Sequence, residues 1–114
     1  MDWRVSKLKE AIDSHAGGVN WSVGHACREL KLDISSAYAA RLFRRDTGRG
    51  VREYAKGKRL LIAAERLSTT NRPIKVIAAE LGYQETFAFS RAFEKRYHLS
   101  PTRFRNANRL SPMR

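Results

Sequence analysis

The chain has 114 residues, with 23 Lys+Arg against 11 Asp+Glu, a formal net charge of +12 and a single cysteine. That length allows one small domain or two fused subdomains, the lone cysteine excludes an internal disulfide framework, and no apolar run is long enough for a signal peptide or a membrane span. So large a positive charge repels itself in a compact state and asks for a polyanionic partner, with nucleic acid ahead of an anionic membrane surface.

Taken in chain order, residues 4–15 place Val5, Leu8 and Ile12 at helical spacing, and Gly17-Gly18 ends that segment. Ser22 is an N-cap for a second helix running through Leu30, with Val23, Ala26, Cys27 and Leu30 inward. His25 stands where a capping box would have Glu or Gln. After the turn Leu32-Asp33-Ile34, Ser35 caps a third helix that runs to about Thr47 and is closed by Gly48, with Tyr38, Ala39, Leu42 and Phe43 expected on its buried side.

A longer helix is predicted from Val51 to Ser68, with Leu60, Ala63, Ala64 and Leu67 on one stripe; its length is about 27 Å. Pro73 opens a short fifth helix whose apolar face is Ile74, Ile77, Ala78 and Leu81 and which Gly82 terminates. Tyr83, Gln84 and Glu85 make the turn before residues 86–97, where Phe89, Phe93 and Tyr97 share a side. A last helix starts at Pro101 behind the cap Ser100 and carries Phe104 inward to about Asn108. No segment alternates with period two, so the fold class is all-α. The expected organisation is residues 1–49 for the first helix and first binding unit, 50–68 for a linker helix, 69–108 for the second unit and last helix, and 109–114 for a flexible tail.

One pattern occurs twice, fifty residues apart: Ala37, Ala40, Arg41 and Arg44, then Phe87, Ser90, Arg91 and Glu94. Both sets follow i, i+3, i+4, i+7 spacing, and each lies opposite an apolar stripe, Ala39 and Phe43 in one case and Phe89 and Phe93 in the other. A short helix, a tight turn and a second helix with a polar, basic outer face is the helix-turn-helix unit, whose second helix enters the major groove. Two such units, over 22–47 and 74–97, joined by a rigid helix, would suit major-groove segments about 34 Å apart on one duplex.

The residues that carry this reading also carry a family likeness. Ile77-Ala78, Leu81-Gly82-Tyr83, Phe89-Ser90-Arg91-Ala92-Phe93, Leu99-Ser100-Pro101 and Phe104-Arg105, with Ser35, Arg41-Leu42-Phe43, Thr47-Gly48, Tyr54 and Arg59-Leu60 earlier in the chain, resemble the AraC/XylS DNA-binding domain. The likeness covers about residues 20–105 and implies a seven-helix bilobed fold with two helix-turn-helix subdomains that bind DNA and regulate transcription. It departs from the family pattern at His98, where glycine is common, at Phe87-Ala88, where Ser-Tyr is common, and in a first turn two residues longer than usual over Leu30–Ser35. With no effector or dimerisation domain before Asp2, the chain resembles the short stand-alone regulators or the excised end of a larger one.

Arg41 and Arg91 are the leading base readers, because a guanidinium makes two parallel hydrogen bonds to guanine O6 and N7; the competing reading is a phosphate contact or a solvated arginine. By helical face and by the likeness, Ala37, Ala40, Thr86, Phe87 and Ser90 line the same grooves. Phe87 points away from the core stripe, which suits contact with a thymine methyl or packing on the turn at Tyr83. Residues 35–59 hold eight basic groups against Asp46 and Glu53, and Ser35, Arg44, Arg45, Arg49, Lys56, Lys58, Gln84 and Lys95 are candidates for the phosphate backbone. Arg59 and Arg66 are expected to pair with Glu53, Glu65 or Glu80.

The expected partner is double-stranded DNA, bound as a monomer unless a separate dimerisation domain accompanies the chain; the likeness adds RNA polymerase. No cofactor, metal site, membrane association or enzymatic activity is expected, since Cys27 reads as a small buried hydrophobe and the histidines lack metal-ligand spacing. The expected location is the cytoplasm, on the nucleoid. A non-specific architectural DNA- or RNA-binding protein is the alternative that charge alone supports.

Overall fold

The computed structural model describes residues 1–15 and 22–108. Seven helices are found among them and no strand: α1 Trp3–His15, α2 Val23–Glu29, α3 Ser36–Thr47, α4 Val51–Thr69, α5 Ile74–Glu80, α6 Thr86–Tyr97 and α7 Pro101–Asn108. The expected stop at Gly17-Gly18 and the expected tail at 109–114 lie outside the described residues. The chain forms two compact units that divide between Lys58 and Arg59, inside α4, whereas the sequence reading set that whole helix apart as a linker.

In the first unit the predicted caps form. The Ser22 hydroxyl accepts the N–H of His25 at 3.1 Å and the Ser35 hydroxyl that of Tyr38 at 3.1 Å, each satisfying a donor that the helix start leaves open. Val5, Leu8 and Ile12 of α1 are buried with Ala26 and Cys27 of α2 and with Ala39, Leu42 and Phe43 of α3. Val23 and Leu30, expected inward, are only half-buried, and Tyr38 is 38 % exposed. It lies one residue before the Ala39–Leu42–Phe43 stripe, at the edge of the buried arc, and its ring meets two arginines instead of the core.

The second unit packs Leu60, Ala63, Ala64 and Leu67 of α4 against Ile77, Ala78 and Leu81 and against Phe89 and Phe93. Tyr83, Tyr97 and Phe104 are half-buried around that cluster, and the Phe104 ring meets Phe93 edge-on at 5.1 Å. Burying a phenylalanine completely is worth about 1.5–3 kcal/mol, so Phe89 and Phe93 fix which side of α6 faces inward. α5 starts behind Pro73 with no side-chain cap, and α7 starts with the Ser100 hydroxyl accepting the Arg103 N–H at 3.2 Å.

The halves repeat in detail. Gly48 closes α3 at φ 78° with its N–H on the Arg44 carbonyl at 2.9 Å, and His98 closes α6 at φ 64° with its N–H on Glu94 at 2.7 Å. In the two turns, Lys31 (φ 55°) and Gly82 (φ 92°) adopt the left-handed conformation, and the following N–H groups, of Leu32 and Tyr83, bond back to Cys27 and Ala78 at 2.9 and 3.0 Å. Three residues then separate Lys31 from Ser35 but only two separate Gly82 from Glu85. The first turn is one residue longer than the second.

Candidate nucleic-acid interface

α3 presents Ala37, Arg41, Arg44 and Arg45 outward, with Ala40 half-buried beside them, while Ala39, Leu42 and Phe43 hold the opposite side in the core. α6 does the same with Thr86, Phe87, Arg91 and Lys95 outward, Ser90 half-buried, and Phe89 and Phe93 inside. Each unit therefore carries one helix whose arginine stands opposite its apolar anchor.

Both arginines lie against a ring of their own helix. The guanidinium carbon of Arg41 is 5.6 Å from the Tyr38 ring centroid, and that of Arg91 is 5.5 Å from the Phe87 centroid. A cation held over a ring face gains about 0.5–1 kcal/mol at an exposed site and loses rotamer freedom before any ligand arrives. The aromatic has changed place between the halves: α3 has Ala37-Tyr38 where α6 has Phe87-Ala88. Phe87 is 67 % exposed, and the turn at Tyr83 packs on Phe89 at 5.4 Å, so the packing of Phe87 on that turn is not observed.

The candidate phosphate contacts divide by what already holds them. Arg44, Arg49, Lys56, Gln84 and Lys95 are exposed. Arg45 is exposed too, but its Nε lies 2.9 Å from Asp46 Oδ1, and that bond keeps its pKa raised. The Ser35 hydroxyl is occupied as a cap acceptor and keeps its own O–H. Lys58 is half-buried and engaged within its unit: its Nζ is 3.4 Å from Asp13 Oδ1 and 5.6 Å from the Tyr54 ring, whose hydroxyl donates to the same Asp13 oxygen at 3.0 Å. Arg66 pairs with Glu80 at 3.2 Å, Arg72 reaches the same carboxylate, and Arg59 lies over the Tyr83 ring at 5.9 Å.

Cys27 is buried, and burial pushes its thiol up, away from the reactive thiolate. Among the described residues no group of three or more His, Cys, Asp or Glu side chains is placed to hold a metal ion, and no helix is long and apolar enough to cross a membrane.

The sequence reading missed Arg4 and Asp2. The Asp2 carboxylate caps α1 by accepting the Arg4 N–H at 2.8 Å and grips the Arg4 side chain through Nε at 3.1 Å and Nη2 at 2.8 Å. These bonds, side chain first, hold the Asp2 carboxyl down at about 2. An Asp two residues before an Arg at a helix start was the available signal.

With this geometry in view, residues 29–107 match the helix-turn-helix domain family model. The regulatory protein SoxS of Salmonella typhimurium is 36 % identical over 95 residues, which span 77 % of this chain and 89 % of that protein. The chain belongs to the AraC/XylS family. Among solved structures, this family member is similar to the C-terminal domain of AraT, a response regulator from Geobacillus stearothermophilus, with a TM-score of 0.88, 26 % identity and coverage of 99 % of this chain and 92 % of that one. It shares its fold with the DNA-binding domain of the global transcriptional factor AdpA in complex with a target DNA, at a TM-score of 0.78 and 20 % identity over 90 % of each chain. As an AraC/XylS member the protein is a DNA-binding transcription regulator.

Proposed function

We propose that this regulator reads two major-groove segments of one duplex, one with α3 and one with α6, through Arg41 and Arg91. The supporting observation is that both arginines stand exposed, each on an aromatic ring of its own helix, at corresponding positions opposite buried stripes. An arginine so oriented offers its outer edge for the paired bonds to guanine O6 and N7. Ala37 and Ala40 border Arg41, and Thr86, Phe87 and Ser90 border Arg91; methyl and phenyl groups at such places suit thymine methyls.

The backbone contacts are placed differently. α3 continues from Arg41 to Arg44 and is followed by Arg49 and Lys56, whereas α6 has Glu94 at the place of Arg44. Because α6 adds Lys95 and Arg96, the two helices still carry the same net charge, and the contacts differ in position rather than in total attraction to phosphate. Arg44, Arg49, Lys56, Gln84 and Lys95 are the foremost phosphate partners, with Ser35 and Arg45 beside them and Lys58 held back by Asp13. Monomeric binding, contact with RNA polymerase and a cytoplasmic site of action belong to the same proposal. The test is competition at physiological salt: a random duplex should need about 10³-fold more DNA than a selected duplex to displace the protein. Equal displacement by both would leave only the architectural reading.

A further inference from the structure

α1 lies outside both helix-turn-helix units and outside the residues that match the family model, yet its first turn reaches the α3 face. The Arg4 guanidinium carbon is 5.7 Å from the Tyr38 ring centroid, the same ring that holds Arg41 at 5.6 Å. From the other side, the Asp2 N–H bonds Asp46 Oδ2 at 2.7 Å, and Asp46 holds Arg45 at 2.9 Å. Two arginines of different helices therefore share one exposed tyrosine, and the Asp46 carboxylate of α3 fastens both the backbone before α1 and Arg45 beside it.

We propose that Arg4 is a DNA contact of the first unit, taking a backbone phosphate next to the groove segment that Arg41 reads. The proposal rests on α3 being a recognition helix. Asp2 occupies the Nε–Nη2 edge of the guanidinium, so Nη1 is the end of the fork that the carboxylate does not hold and the donor an oxyanion would take, on a side chain that is 27 % exposed. The carboxylate and the Tyr38 ring fix the side chain in advance, which lowers the ordering cost of binding. Phosphate fits better than a base because Arg4 comes from a flanking helix and not from the groove-facing side of α3. Tyr38 acts as the positioning residue for both cations.

The test is the salt dependence of binding to the duplex selected by the parent protein, for the parent, Arg4→Gln and Arg4→Lys. Loss of the contact should make the slope of log K against log salt shallower in Arg4→Gln, by less than the value of about 0.9 for an unpaired cation, because the Asp2 carboxylate neutralises part of the Arg4 field. Selected and random duplexes should lose affinity by the same factor, about three- to tenfold. Arg4→Lys keeps the charge but not the fork, so its slope should equal that of the parent while its affinity falls about threefold. An Arg4→Gln slope equal to that of the parent, or a loss confined to one base position, overturns the proposal. If Arg4→Gln does not fold, unchanged affinity in Arg4→Lys overturns it. A parent that does not prefer its selected duplex refutes the recognition role of α3 and, with it, this contact; a parent that does, with no slope change in Arg4→Gln, refutes the role of Arg4 alone.

Discussion

The Arg91 guanidinium lies over the ring of Phe87, four residues earlier on the same exposed face, with 5.5 Å between guanidinium carbon and ring centroid. A phenyl group left 67 % exposed thereby orients the arginine beside it. Arg91→Ala should cost about 1–3 kcal/mol on the preferred duplex and relax preference at one position. Phe87→Ala should weaken the same position, and a double-mutant cycle should show the two residues coupled by about 0.5–1 kcal/mol. Titrations against base-substituted duplexes measure both; uniform losses on every sequence would remove Arg91 from base reading.

Neighbouring arginines on α3 should differ. Arg44 is exposed, whereas Arg45 is bonded to Asp46 at 2.9 Å, which neutralises part of its field. Arg44→Ala should reduce the salt slope of binding by about one, and Arg45→Ala by less. Measured slopes in the opposite order would show that Asp46 gives way when DNA binds.

Much of the fold could be read from local chemistry. Ser22, Ser35 and Gly48 act within one helical turn of themselves, so their roles followed from residue type and position. The stripes Ala39–Phe43 and Phe89–Phe93 followed from spacing alone, as did the outward direction of Arg41 and Arg91. Tyr38 did not. It sits at the edge of the buried arc, where Arg4 reaches it from another helix, and the bond from Asp2 to Asp46 spans 44 residues. The engagement of Lys58 by Asp13 is equally long-range. Pairings of this kind are set by how helices pack, so a pattern within one helix cannot reveal them.

The two helix ends offer a matched stability test. Gly48 at φ 78° has open space where a Cβ would stand, so an added side chain there meets only the backbone penalty of the left-handed conformation. Gly48→Ala should destabilise the protein by about 1 kcal/mol, and His98→Gly, at φ 64°, should stabilise it by a similar amount. Denaturant unfolding of each variant checks this, and a destabilised His98→Gly would mean that the imidazole makes a contact worth more than the strain.

Acid should loosen the start of α1. The hydrogen bonds from Arg4 depress the Asp2 carboxyl from its ordinary 3.8 to about 2, and those from Arg45 and from the Asp2 N–H lower Asp46. A depressed carboxyl contributes its full stability above the unfolded value and loses it as the pH falls through the folded value. The gap in thermal midpoint between the parent and Asp2→Asn should therefore be constant above 3.8 and close as the pH approaches about 2. A gap that persists under acid would assign the effect of the substitution to something other than this ion pair.

Selection of bound duplexes from a random pool addresses two-helix readout most directly. The expected product has two blocks of preferred bases about 10 base pairs apart, centre to centre, with Arg41→Ala blurring one block and Arg91→Ala the other. A single enriched block, or a pool left unenriched, would contradict the reading of DNA by both helices.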